Sequence, residues 1–166
     1  MRIISIDPGE TAGWATCTLD EDYVGPGETG LVVRDLVHDS TPMLAFWRGY
    51  DKAMKDPARQ FQVTIYESWK LTRHGAKVLI GSDMRSSQLI GMIRASYLQA
   101  KDAGATLDPL IHVPPAAKSV VDAWFGGPDY LPVSDVDHNR DAPRHRFYYL
   151  HQEKGLDLEY LRSLLA

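Results

Sequence analysis

The sequence predicts an α/β fold in which a mixed five-stranded sheet, three antiparallel strands followed by parallel strands, carries helices on both faces. Two patterns indicate this fold. The first forty residues contain β-branched segments separated by turn residues, and the remainder alternates between helical and strand-like segments. A length of 166 residues with 44% hydrophobic content is enough for one packed core. We therefore expect residues 1–166 to form a single domain.

The amino-terminal third predicts three strands and a helix. Residues 2–7 are β-branched and predict a strand, 8–12 a turn, and 13–19 a returning strand. A connection at 20–30, rich in Gly, Asp and Glu, leads to a third strand around 31–36. The first helix is expected to have Thr41 as its N-cap and Pro42 at its first position, and to end near Lys55 before Asp56-Pro57.

The rest of the chain predicts two strands and three helices. Leu89, Ile93 and Tyr97 lie on one helical stripe, with Ile90 beside it. Pro143 fits a helix that begins near residue 139 or 140, and otherwise implies a kink. In order, we predict a strand at 62–67, a helix at 82–103, a strand at 110–113, a turn region at 125–132, a helix to about residue 151, and a last helix at 157–165 with Leu158, Leu161 and Leu165 inward.

Composition limits the function classes. A single cysteine, Cys17, excludes an internal disulfide and a cysteine-rich zinc site, and fits a reducing, cytoplasmic location. We see no signal peptide and no apolar run long enough to span a bilayer, so we expect a soluble protein without a membrane partner.

The net charge of −4 is unusual for a nucleic-acid binder. A cluster of metal-binding carboxylates would itself lower the net charge.

Three acidic residues occupy special places in this predicted order. Asp7 ends the first strand, Glu67 ends the fourth, and Asp141 lies on the late helix. Adjacent strand ends and a nearby helix can bring such carboxylates together, and oxygen ligands suit Mg²⁺ or Mn²⁺. If the helix reaches back to residue 138, His138 projects from the same side as Asp141, and His145 continues that stripe at the next turn. Each residue also has a structural interpretation: Asp7 as a turn former, Glu67 as a paired edge residue, His138 as a helix cap.

Taken together, these residues resemble the RuvC-type Holliday-junction resolvases of the ribonuclease H-like superfamily, including bacteriophage members. The resemblance covers nearly the whole chain. Four segments carry it: Ile-Ser-Ile-Asp-Pro-Gly-Glu-Thr-Ala-Gly-Trp-Ala at 4–15, Ile65-Tyr66-Glu67, Val-Pro-Pro-Ala-Ala-Lys at 113–118, and His138-Asn139-Arg140-Asp141-Ala142, which is similar to the His-containing form of the family's last motif.

The resemblance implies a two-metal endonuclease that hydrolyses phosphodiester bonds of branched DNA in DNA recombination, with Mg²⁺ or Mn²⁺ as cofactor. It implies Asp7 as the bridging ligand, Asp141 and His138 on the ion that activates water, and Glu67 on the other ion. Lys118 is then the candidate for phosphate contact or charge stabilisation in the transition state.

The resemblance also implies a branched-DNA partner and a homodimer, because a two-fold dimer mirrors the symmetry of a four-way junction. A basic segment is the candidate DNA contact, with Trp69, Lys70, Arg73, Lys77 and Arg85 as its residues. Trp69 is near the family's aromatic wedge position but not clearly at the matching offset. The same segment also fits a solvated loop.

Three other functions stay open at this point. One is a non-catalytic DNA-binding or assembly module of the same fold, which would normally have lost a metal ligand. Another is a nuclease acting on flaps, forks or packaging intermediates, because fold does not fix substrate. The third is an actin-like phosphotransferase, for which the chain is too short to hold the required second domain.

Overall fold

The structure is a computed structural model that describes residues 1–25, 28–67, 85–131 and 138–165. Within these ranges five strands and five α-helices follow one another along the chain. In order they are β1 (Arg2–Asp7), β2 (Thr11–Gly25), β3 (Glu28–Pro42), α1 (Met43–Met54), β4 (Val63–Glu67), α2 (Arg85–Asp102), β5 (Ile111–Val113), α3 (Ala117–Phe125), a short 3₁₀ turn (Pro128–Tyr130), α4 (His138–Gln152) and α5 (Leu158–Ser163). No helix in these ranges has both the length and the apolar character to cross a membrane.

The five strands form one mixed sheet in the order β3-β2-β1-β4-β5. β1 pairs antiparallel with β2, and β2 pairs antiparallel with β3. β4 joins the other edge of β1 in parallel and is followed by β5, also parallel. The predicted five-stranded sheet, antiparallel first and parallel afterwards, is confirmed.

The β2–β3 hairpin is longer than the sequence predicted. The segment 20–30 was expected to be a connection, but Asp20 pairs with Val32 and Asp22 with Gly30 in the antiparallel ladder. Charged side chains suit these positions because they pair across the strands: Arg34 forms ion pairs with both Asp20 and Asp22. Acidic residues therefore stabilise the hairpin here rather than interrupting it.

The start of the first helix also differs from the prediction. Thr41 is not an N-cap, since α1 begins at Met43 and Pro42 precedes it without a side-chain cap. Thr41 instead belongs to the end of β3, where its Oγ1 accepts a hydrogen bond from Trp14 Nε1 at 3.0 Å. The backbone N–H of Met43 is satisfied by Glu10 O at 2.9 Å, so the loop after β1 replaces the missing cap.

α3 was not predicted from the sequence. It follows Pro114-Pro115 and runs only from Ala117 to Phe125. Ser119, Val120 and Val121 are poor helix formers, so the segment has little intrinsic helical preference. Burial of Ala117 and Val121, one turn apart, supplies the tertiary contact that favours the helix.

Alternation along the strands divides the apolar residues between two cores. Ile3 and Ile65 point to the face covered by α3, α4 and α5, whereas Ile4 and Tyr66 point to the face covered by α1 and α2. The predicted inward residues are confirmed: Leu89, Ile93, Tyr97 and Leu161 are buried, and Ile90, Leu158 and Leu165 pack against the cores. Helices thus cover both faces, as expected.

α4 is the helix that positions the site, and it is buried along most of its length. It begins at His138, so Pro143 lies inside it. Hydrogen bonds of Ser5 and Arg146 attach it to the sheet. Ser5 Oγ donates to Ala142 O at 2.6 Å, and the fully buried Arg146 donates through Nη1 to Thr16 O at 2.8 Å.

The first of these contacts gives a stability prediction. Ser5→Ala removes the hydroxyl that joins β1 to α4, and we expect the free energy of unfolding to fall by about 1–2 kcal/mol. Ser163→Ala on the exposed end of α5 is the control and should change it by less than about 0.5 kcal/mol. Urea unfolding of both variants measures the difference. Equal stability of the two variants would contradict the role of Ser5.

Candidate metal centre

Three carboxylates that are distant in sequence meet around one ammonium group. Lys118 Nζ lies 3.6 Å from Asp7 Oδ1, 2.7 Å from Glu67 Oε2 and 2.6 Å from Asp141 Oδ2. Each of the three oxygens lies within 3.6 Å of this one nitrogen, so the three carboxylates are also close to one another. The structure therefore brings Asp7, Glu67, Asp141 and Lys118, all predicted from sequence, into one cluster.

The secondary structure explains this convergence. Ile6 pairs with Tyr66 in the parallel β1–β4 register, so the next residues, Asp7 and Glu67, end adjacent strands at the same level. Asp141 lies in the first turn of α4, the helix that packs across both strands. Lys118 comes from the first turn of α3. Each charged group is thus held by a regular element rather than by a loop.

The cluster fits a divalent cation by the chemistry of its donors. Three carboxylates facing one positive position are the ligand type that Mg²⁺ and Mn²⁺ prefer. In the described ranges, however, no three His, Cys, Asp or Glu side chains are already spaced as ligands of one metal ion. The ammonium of Lys118 takes the central position, and it must withdraw before a cation can be bound there.

The electrostatics of the cluster favour the charged forms of Glu67 and Lys118. The neighbouring His145 and the contact with Lys118 lower the pKa of Glu67 to about 2, against the opposing effect of burial. Burial disfavours the charged form of Lys118, but its contacts with Asp141 and Glu67 outweigh that cost and raise its pKa above the usual value. At neutral pH Glu67 is therefore available as an anionic ligand.

The shifted pKa of Glu67 predicts a pH dependence of stability. Because its pKa falls from 4.5 to about 2 on folding, Glu67 contributes stability that is present above pH 4.5 and is lost as the pH drops toward 2. We expect the Tm of the metal-free protein to decline across this window, and to decline less steeply in Glu67→Gln. Calorimetry in EDTA, with Glu153→Gln as the exposed control, measures both slopes. Parallel profiles for Glu67→Gln and the wild type would contradict the assignment.

His145 lies directly beneath the cluster. Its side chain is 0% exposed, and its Nε2 is 3.6 Å from Glu67 Oε2, which is longer than a hydrogen bond. Neither ring nitrogen has a hydrogen-bond partner among the described residues. His145 was predicted to lie on the same helix face as Asp141, and the structure shows that it borders the site through Glu67.

Two further charged residues, Arg144 and Asp122, border the cluster. Neither was predicted from the sequence as a site residue. Arg144 Nη1 donates to Asp141 Oδ1 at 2.8 Å, and Arg144 Nε donates to Asp122 Oδ1 at 2.7 Å. The spacing of Asp141 and Arg144, three residues apart on a helix, was a signal for the first pair. Asp122 could not be found in this way because it lies on α3, which was not predicted.

The remaining predicted site residues are less fully described. His138 is the first residue of α4, but its side chain lies outside the described part of the chain. Arg85 begins α2 and is exposed. The other residues predicted to contact DNA fall in the segment 68–84, which is also outside the described residues: Trp69, Lys70, Arg73 and Lys77.

Comparison with known proteins identifies the fold. The chain is similar to a Thermus thermophilus RuvC structure, with a TM-score of 0.50 and 15% identity over 93% of this chain and 97% of that one. A structure of T. thermophilus RuvC in complex with Holliday junction substrate gives a TM-score of 0.51 and 13% identity, over 93% and 96% of the two chains. No protein-family model and no curated protein matches the sequence. The chain has the ribonuclease H-like fold of RuvC.

Proposed function

We propose that this protein is a metal-dependent endonuclease that cleaves branched DNA, with the four-way junction as its substrate. The observation that carries the proposal is the convergence of Asp7, Glu67 and Asp141 on one cationic position. A fold shared with RuvC supports it, as does the junction substrate held by one of the similar structures. Because a fold hosts many functions, the carboxylate cluster is the stronger argument.

Asp7, Glu67 and Asp141, with His138, would hold Mg²⁺ or Mn²⁺, most simply as two ions per site. When bound, the metal supplies an activated water and neutralises charge on the leaving oxygen. The protein's own part is to hold the carboxylates close together, which the strand-end positions of Asp7 and Glu67 favour, and to keep Glu67 ionised, which its low pKa favours.

Lys118 is proposed to act on the substrate rather than on the metal. Its ammonium is held within the carboxylate cluster and is still partly exposed, with 28% of the side-chain surface accessible. A cation in this position can contact the scissile phosphate and stabilise the negative charge that builds up on it. The positive charge of Lys118 therefore has two partners, the carboxylates before metal binding and the phosphate afterwards.

Recognition of the junction is proposed to require two copies of the chain. A four-way junction has two-fold symmetry, and a homodimer would place one metal centre on each of two symmetric strands. The segment that contains Trp69, Lys70, Arg73 and Lys77 precedes Arg85 at the start of α2, and the loop after β1 lies beside that helix end, since Ser86 Oγ donates to Pro8 O at 2.7 Å. Arg85, the last of the predicted DNA-contacting residues, thus begins a helix whose first turn contacts the residue after Asp7.

Cleavage of labelled four-way, forked, flapped and linear DNA tests the proposal directly. We expect cleavage with Mg²⁺ or Mn²⁺, none with EDTA, and a preference for the four-way junction. A preference for flaps or forks would support the nuclease activity but would replace the four-way junction as its substrate. Binding without cleavage of any DNA in either metal would overturn the catalytic proposal and favour a non-catalytic DNA-binding module.

A further inference from the structure

Arg144 connects the metal centre to a carboxylate outside it. Its guanidinium donates to Asp141 Oδ1 through Nη1 and to Asp122 Oδ1 through Nε. Only 8% of Arg144 is exposed, so these contacts are shielded from solvent screening. Arg144 and Asp141 share α4, one turn apart, whereas Asp122 belongs to α3. A single side chain therefore joins both helices at the edge of the site.

The two oxygens of Asp141 have different partners. Oδ1 accepts from Arg144 at 2.8 Å, while Oδ2 lies 2.6 Å from Lys118 Nζ, on the side of Asp7 and Glu67. The terminal torsion of an aspartate is broad and nearly two-fold, so a carboxylate alone does not keep one oxygen in one direction. With Oδ1 held by Arg144, Oδ2 is the oxygen presented to the centre.

Two residues of α3 act on the two oxygens of the Asp141 carboxylate. Lys118 and Asp122 are four residues apart, so they lie on the same face of the helix, one turn from each other. Lys118 contacts Oδ2 of Asp141 directly, and Asp122 acts on Oδ1 through Arg144. A planar guanidinium holds its donors in fixed directions, so anchoring Nε on Asp122 also directs Nη1.

We propose that Arg144 and Asp122 form a positioning pair that holds the Asp141 carboxylate with Oδ2 toward the cation. This inference rests on the proposed function, because it assumes that the cluster binds divalent metal. It adds two residues that neither ligate the metal nor contact the substrate. Their effect is on the direction of a ligand, and partners of this kind commonly change metal affinity 10–100-fold.

Arg144 could act as a positive charge near the metal or as a positioning residue for Asp141. The two roles predict opposite changes in metal affinity when Arg144 is replaced. If the residue acted only as a charge, its removal would relieve repulsion of a cation and tighten metal binding. If it positions Asp141, its removal loosens a ligand and weakens binding. Arg144→Lys separates the two further, because lysine keeps the charge but lacks the rigid fork. Charge alone predicts no change for this variant, and positioning predicts weaker binding.

The experiment is titration of the full-length protein with Mn²⁺, followed by the electron paramagnetic resonance signal of free Mn²⁺. We expect the Kd to rise roughly 10-fold in Arg144→Gln and to rise in Arg144→Lys as well. Asp122→Asn should also weaken binding, and the double variant Arg144→Gln/Asp122→Asn should be no weaker than Arg144→Gln alone, since the two residues act through one contact. Circular dichroism establishes that each variant is folded.

Arg140→Gln is the matched control. It removes the same charge one residue before Asp141, and Arg140 forms no ion pair with Asp141 in the described structure, so its Kd should stay unchanged or fall. Wild-type binding of Mn²⁺ together with unchanged or tighter binding by Arg144→Lys and Arg144→Gln would overturn the positioning pair alone. Failure of the wild type to bind Mn²⁺ would instead overturn the metal centre, and the pair with it.

Discussion

Asp7→Asn is expected to reduce junction cleavage by roughly 1000-fold at saturating Mg²⁺ while leaving the fold intact. Metal stabilisation of the charge in phosphodiester hydrolysis is worth several kcal/mol, and each 1.36 kcal/mol is about tenfold in rate. Asparagine has the shape of aspartate but lacks its charge. Asp7 is the innermost of the three acids, with only 6% of its surface exposed, so water does not replace the lost ligand easily.

Single-turnover cleavage of a labelled four-way junction measures this effect. Asp102→Asn, an exposed change at the far end of α2, is the control and should cleave at the wild-type rate. Junction binding in Ca²⁺, followed by gel shift, separates loss of chemistry from loss of affinity. Wild-type cleavage by Asp7→Asn would remove Asp7 from the metal centre and overturn the proposed mechanism.

The second large effect is expected at Lys118, and it concerns stability as well as rate. In the metal-free protein, Lys118→Met leaves Asp7, Glu67 and Asp141 without their shared counter-ion. Loss of one partner of a fully buried ion pair costs about 3–5 kcal/mol, and this cluster is partly solvated, so we expect roughly 2 kcal/mol. For a chain of this size, that corresponds to a fall in Tm of about 4–8 °C.

Added metal should stabilise Lys118→Met more than it stabilises the wild type. Without Lys118 to displace, Mn²⁺ binds the carboxylates directly, so the rise in Tm on adding Mn²⁺ should be larger in Lys118→Met than in the wild type. Cleavage should nevertheless be slower, because the phosphate loses its cation. Thermal shift with and without Mn²⁺ tests this, with Lys52→Met on α1 as an exposed control. An equal metal response in the variant and the wild type would contradict the displacement of Lys118.

The sequence predicted the sheet and the acidic cluster because both depend on local patterns. Ile3, Ile4 and Ile6 mark β1 by their branching, and Asp7 and Glu67 are each the last residue of a strand whose pattern is clear. Once β1 and β4 are placed side by side, the meeting of the two acids follows from the parallel register. The resemblance of residues 138–142 to the last motif of the RuvC family then adds Asp141, on the late helix, to the predicted cluster.

The features that escaped prediction depend on tertiary contacts. α3 has weak intrinsic helical preference and is stabilised by burial of Ala117 and Val121, which a sequence pattern does not reveal. Asp122 was missed together with that helix. The hairpin beyond residue 19 was missed because its acidic residues resemble a loop until Arg34 pairs with them across the strands.

The parallel alignment of β1 and β4 has an evolutionary consequence. Side chains alternate between the two faces, so Glu67 faces α4 and Tyr66 faces the opposite helices. A one-residue insertion within β4 would exchange these orientations and turn the acid away from Asp7 without altering any ligand. Relatives in which every acidic residue is retained could therefore be inactive, and the spacing between Val63 and Glu67 is as informative about activity as the identity of the acids themselves.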